Sequence, residues 1–180
     1  MYQGTNKMAL QSQQMIADGL FTLMNEKPFA KVNIKELCDC AKVSRQTFYF
    51  LFQTKENVVE WYFDRLFSDF SREPMNTLTQ ICDKFIDYML ANKYQISCLV
   101  KNNLAHFMTQ KFTEYLLDFE TVVNAEHKEG NEYAAAFLAG ALVELIACYL
   151  INDANNGGAV GKEYLSNLIE QILTGAYFHL

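Results

Sequence analysis

Along most of this 180-residue chain the apolar positions recur with the period of a helix buried on one side. No stretch of useful length alternates residue by residue as a half-buried strand does, and neither an internal repeat nor a low-complexity segment interrupts the pattern. The pattern is sharpest between Asn33 and Lys55. There Ile34, Leu37, Cys38 and Ala41 fall at i, i+3, i+4 and i+7, while Lys35, Glu36, Asp39 and Lys42 face away. Asn33 with Glu36 three residues on has the form of a capping box, so a helix is expected to begin near Ile34. After a turn at Lys42-Val43, Ser44 can cap a second helix. On that helix Phe48, Leu51 and Phe52 share one side, and Arg45, Gln46, Tyr49 and Phe50 the other.

The same reading predicts helices on both sides of this pair. Thr5 to Glu26 carries Ile16, Leu20, Leu23 and Met24 at a spacing that covers the pair, and Pro28 blocks its continuation. Phe29 and Val32 would close a small three-helix core. Gln53 or Thr54 opens a fourth helix running through Val58, Val59, Trp61, Tyr62, Leu66 and Phe67, a mechanical link into the rest of the chain. Past Pro74, helices are expected from Leu78 to Ala91, around Tyr94 to Lys101, and from about Leu104 to Asn124. The polar run His127 to Asn131 marks a loop, and two long helices follow, near Glu132 to Asn152 and Lys162 to Phe178, parted by Asn155-Asn156-Gly157-Gly158. The expectation is an all-α fold of about nine helices: a three-helix head over residues 1–53 and a larger helical domain over residues 54–180.

A short helix that shows a guanidinium, an amide and a phenol near its start suits the DNA major groove. Arginine matches guanine O6 and N7, glutamine matches adenine N6 and N7, and an aromatic ring can meet a thymine methyl. Ser44, Thr47, Tyr49, Lys55 and the free helix amides would then serve phosphates. The alternative is an ordinary polar surface helix.

At these residues the chain resembles a known family. The segment from Val32-Asn33-Ile34 to Val58, with Val43-Ser44-Arg45-Gln46-Thr47-Phe48-Tyr49, Phe52 and Lys55-Glu56, resembles the DNA-binding domain of TetR-type (tetracycline-repressor-like) transcription regulators, and Glu26-Lys27-Pro28-Phe29 before it fits too. The resemblance covers roughly the first third of the chain. It implies a helix-turn-helix that meets double-stranded DNA, with contacts expected from Asn33, Lys42, Ser44, Arg45, Gln46, Thr47, Tyr49, Phe50 and Lys55. Two positions depart from the family's pattern: Lys42 stands where a turn glycine is usual, and Phe50 where a polar residue is frequent.

Charge fits this division. The net −6 splits into a head, residues 1–57, with seven Lys/Arg against five Asp/Glu, and a remainder with eight against sixteen. The acidic part would turn away from DNA and the weakly basic head toward it, with a footprint small enough that two copies are expected to act together. No apolar run is expected to reach the roughly 20 residues of a membrane span, and the opening MYQGTNKMALQ lacks the core of a signal peptide, so a cytoplasmic protein is expected. Cys38, Cys40, Cys82, Cys98 and Cys148 are odd in number and scattered over helices, which argues for structural thiols rather than a disulfide framework or a zinc site.

Three further expectations concern the larger domain. Its aromatic middle offers Trp61, Phe85, Met89, His106, Phe107, Tyr115 and Phe119 as lining for a small apolar effector, or simply as core. Its last two helices carry Tyr133, Phe137, Gly140, Ala141, Glu144, Leu168 and Ile172 at helical spacing, a surface for a second copy by two-fold symmetry, or internal core. No phosphate loop, HExxH, nucleophile elbow or clustered carboxylate pair is present, so neither catalysis nor a cofactor is expected. The function expected is regulation of transcription by a homodimer, by repression that a small apolar effector releases; the alternative is an activator or interaction module controlled by a protein partner with no small-molecule pocket.

Overall fold

Local capping chemistry sets where five of the helices begin in the computed structural model, which describes residues 2, 4–70, 77–117, 130–156, 161–174 and 176–177. Asn6 accepts from the Met8 and Ala9 amides and starts α1, Lys7–Glu26, two residues later than the periodicity suggested. Pro28 ends the helical path, a 3₁₀ turn over Phe29–Lys31 reverses the chain, and the Asn33–Glu36 capping box starts α2, Ile34–Ala41. Ser44 Oγ takes the Thr47 amide at 2.9 Å to start α3, Arg45–Leu51. Thr54 and Asn57 cap reciprocally at the head of α4, Lys55–Phe70. Then follow α5, Leu78–Ala91, capped by Thr77; α6, Lys93–Lys101; α7, Ala105–Leu117; α8, Asn131–Asn156; and α9, Lys162–Leu173. Among the described residues the fold is all-helical, as expected.

The turn between α2 and α3 keeps the left-handed geometry that favours glycine, although lysine occupies it. Lys42 has φ 55° and ψ 40°, its N–H reaches back to α2, and the Val43 N–H closes on the Cys38 carbonyl at 3.0 Å. A lysine there costs on the order of 1 kcal/mol relative to glycine. One glycine sits at a close crossing: at Gly19 a Cβ would lie 3.3 Å from the Ala41 nitrogen, tighter than ordinary van der Waals contact, where α1 crosses α2.

Three further helix ends differ from expectation. Helix α8 runs on to Asn156, through the first half of the Asn155-Asn156-Gly157-Gly158 stretch expected to part the last two helices. Asn103 adopts φ 60° and the Leu104 N–H bonds to the Leu99 carbonyl, so the turn after α6 includes Leu104 and α7 starts at Ala105. At the other end of the chain, the Thr174 hydroxyl folds onto the Glu170 carbonyl at 2.8 Å and α9 stops at Leu173, leaving Ala176 beyond it. The expected features at Pro74, at 118–124 and at His127 lie outside the described residues.

One hydrophobic core runs from head to body, with α4 as the link. Phe48 packs on Phe52, Phe52 meets Trp61 of α4 edge-on at 6.0 Å, and further along Phe67 stacks on Phe112 and Phe112 on Phe85 at 4.3 Å. Helix α8 corrects one expectation: Asn131–Asn152 has a mean hydropathy of 2.2 and is long and apolar enough to cross a membrane by length and composition alone. Alanines and a glycine carry much of the run, so few large apolar side chains mark it in the sequence. Its inner face, Ala135, Leu138, Ala139, Leu142, Val143, Ile146, Ala147 and Leu150, is buried on α7 and α6.

Candidate nucleic-acid interface

Phe48 and Leu51 are fully buried, which fixes the roll of α3 and turns Arg45, Gln46, Tyr49 and Phe50 outward. Arg45 and Gln46 are exposed in the first turn, Tyr49 is 54% exposed and Phe50 67%. Beside them Ser44 Oγ and Thr47 Oγ1 lie 2.8 Å apart, two hydroxyls at the start of the helix, and the exposed Lys42 sits just before. The arrangement offers planar donors to base edges with hydroxyls and an ammonium at the flank for phosphates. Asn33 is exposed as well, but its Oδ1 accepts the Glu36 amide at 3.0 Å, leaving only its side-chain nitrogen outward. Lys27 lies 2.7 Å from Glu36, and its hydrogen bond, with that from the Asn33 backbone, holds the Glu36 carboxyl below the ordinary carboxylate range. This contribution to stability is present at neutral pH and lost as pH falls through that lowered value.

Lys55 corrects the sequence reading. It was expected as a free cation for a phosphate, yet it is half-buried, donates to the Phe29 carbonyl at 2.6 Å and the Val32 carbonyl at 3.0 Å, and lies 4.4 Å from the centre of the Phe29 ring. The reason is local: the reversal after α1 turns the Phe29 and Val32 carbonyls toward the start of α4, where the ammonium joins the Val32 N–H on the first and caps the second.

Sequence reasoning also missed Tyr2. Its N–H bonds to the Leu51 carbonyl at 2.9 Å, its carbonyl takes the Gln13 side-chain amide at 3.1 Å, and its ring lies 5.5 Å from that of Phe50. Tyr2 thus sits against the far end of α3. Gln13 was the available signal: it precedes Ile16, Ala17 and Leu20 by 3, 4 and 7 residues, a core position for a polar side chain, and it is 0% exposed.

Arg45→Ala or Gln46→Ala is expected to reduce discrimination at the contacted base pair by about 1–3 kcal/mol, with thermal stability unchanged because neither side chain is buried. Binding to a panel of single-base operator variants measures it. Equal loss on every sequence would assign that side chain to phosphate alone.

The residues expected around an effector separate. Trp61, Phe85 and Met89 are buried; Phe85 and Tyr115 join a single stack through Phe112, with centroid distances of 4.3 and 6.2 Å. His106 is exposed and its Nδ1 lies 3.2 Å from the Asn103 carbonyl; its ring rests on the half-buried Phe107. Phe119 lies outside the described residues. Of the residues expected to meet a second copy, Tyr133 and Phe137 are each 79% exposed, Ala141 and Glu144 are exposed, and a Cβ on Gly140 would meet nothing within 4 Å. On α9, Leu168 and Ile172 are half-buried beside the exposed Tyr164. No group of three or more metal-ligating side chains occurs among the described residues.

Residues 16–61, which span most of α1, the helix-turn-helix and the start of α4, match the family described as bacterial regulatory proteins, tetR family. The chain is 27% identical over 136 residues to the HTH-type dhaKLM operon transcriptional activator DhaS of Lactococcus lactis subsp. lactis (strain IL1403), covering 71% of this chain and 70% of that protein. In fold it is similar to the crystal structure of Lin0861 from Listeria innocua, with a TM-score of 0.75 at 17% identity over 98% of this chain and 96% of that one. A capped helix pair with Arg45 and Gln46 exposed, set within the segment that matches the family, gives this chain a tetR-type helix-turn-helix head and makes it a DNA-binding transcriptional regulator.

Proposed function

We propose that the chain acts as a homodimer whose two α3 helices enter successive major grooves of a partly palindromic operator, with half-sites about one turn, roughly 34–36 Å, apart or a little more. The observation that carries this reading is the outer stripe of α8. Tyr133, Phe137, Ala141, Cys148 and Ile151 form an exposed, largely apolar strip, interrupted by Glu144, on a helix whose opposite face already fills the core. A helix with large apolar side chains on two faces is at rest only when both are covered, and an isologous contact with a second copy covers the outer one. Residues 1–53 then serve as the DNA-reading head and 54–180 as the dimerising and regulatory body. The role is regulatory, not catalytic, and is exercised in the cytoplasm, where the operator is.

Thiol labelling tests the pairing. Cys40 and Cys148 are exposed in the single chain, Cys38, Cys82 and Cys98 buried. Burial pushes the Cys82 thiol up to about 12 and the Cys98 thiol to about 11, so both stay unreactive while the fold holds. At high protein concentration a maleimide is expected to label Cys40 quickly and Cys148 slowly, and dilution below the dimer dissociation constant should bring Cys148 to the rate of Cys40. Equal rates at all concentrations would overturn the proposed interface.

Two observations favour activation through a protein partner over repression released by a small apolar effector. The relative from Lactococcus lactis is named as an activator, and the Phe85, Phe112 and Tyr115 rings lie stacked against one another at the centre of the body. A reporter placed beside operator fragments selected by the purified protein decides the sign: loss of the regulator lowers expression under activation and raises it under repression.

A further inference from the structure

Tyr94 and Cys98 of α6 and Asn102 at its C-cap stand four residues apart, on one side of the helix, and each makes a polar contact with α1. Asn25 donates its side-chain amide to the Tyr94 hydroxyl, and the Cys98 thiol points at the Phe21 carbonyl from 3.8 Å. Asn102 donates Nδ2 to the Met24 carbonyl at 3.3 Å and to the Cys98 carbonyl at 2.8 Å, while its Oδ1 accepts the Phe29 N–H at 2.7 Å. Phe29 opens the turn that leads from α1 into α2. Its N–H is therefore held by the body and its carbonyl by Lys55 at the start of α4.

Apolar packing is non-directional, whereas hydrogen bonds weaken steeply once misaligned. A row of them on one helix face fixes an angle as well as a distance. Helix α6 also packs on α8, the helix whose outer face the dimer would cover, so the row lies between that face and the head.

We infer that Asn102 is a positioning residue: it sets the angle of the head on the body, and through it the separation of the two α3 helices in the dimer. The inference rests on the homodimer reading above. Asn102 touches neither DNA nor the second copy; it acts through the Phe29 turn.

The test is a set of duplexes that share one half-site sequence and differ only in half-site spacing, where each added base pair moves the sites about 3.4 Å apart and rotates them around the axis. Asn102→Leu keeps the approximate size and removes both donor and acceptor. It is expected to shrink the preference for the best spacing over its neighbours by on the order of fivefold or more, at the low end of site-to-site couplings, while affinity for a single half-site stays as in the parent. Asn102→Asp retains the acceptor for the Phe29 N–H and should keep most of the preference. An Asn102→Leu protein with the parent's spacing preference, or one that loses single-site and two-site binding by the same factor, overturns the inference. Should that variant fail to fold, Tyr94→Phe removes only a half-exposed hydroxyl from the same row and must still narrow the preference; an unchanged preference overturns it equally. A parent protein indifferent to spacing overturns the dimer reading and takes this inference with it.

Discussion

Glutamate in place of Phe137 is expected to yield a folded monomer whose affinity for a two-half-site operator is about 10²–10⁴ lower, the factor lost when two linked heads become independent. Phe137 is 79% exposed in the single chain, so the fold itself has little to lose. In the proposed pair the added carboxylate would be buried on an isologous surface that already carries Glu144 two turns along the same stripe, and like charges would face each other without water. Sedimentation equilibrium and operator titration measure the two effects together. A Phe137→Glu protein that keeps the parent's mass in solution would place the interface elsewhere.

Phe48→Ala is expected to cost about 3–5 kcal/mol of stability, the range for removing a fully buried phenylalanine. The ring is 0% exposed, lies 6.1 Å from Phe52 and is the inner anchor of a helix only seven residues long. So short a helix is marginal by itself and depends on that packing. Because the core is continuous from head to body, denaturation should shift to lower denaturant as one transition, with operator binding lost at temperatures where the parent still binds. A shift worth less than about 1 kcal/mol would mean that Phe48 is not what seats α3.

What could be read from the residues alone divides along physical lines. Caps and periodicity are local, and they led to the right helices: Asn33 with Glu36, Ser44, and the two faces of α3 all stand where the pattern placed them. Contacts between segments distant in sequence were not legible. Nothing in the neighbourhood of Lys55 announces that its ammonium closes on carbonyls 23 and 26 residues earlier, and nothing around Asn102 points to an amide 73 residues away. Composition misled once, at α8, where small residues hid a long apolar helix. Gln13 is the instructive middle case, since a glutamine at a core position was visible but its partner, the Tyr2 carbonyl, was not.

An ammonium already coordinated by protein carbonyls displaces no condensed ion from a duplex. With Lys55 so engaged, the cations beside α3 are chiefly Lys42 and Arg45, and the slope of log affinity against log salt, about −0.9 per phosphate neutralised, should be modest for a regulator of this kind. Occupancy of the operator would then fall less steeply with salt than for a strongly basic head, and the choice among sites would rest on base edges more than on the polyanion's general pull.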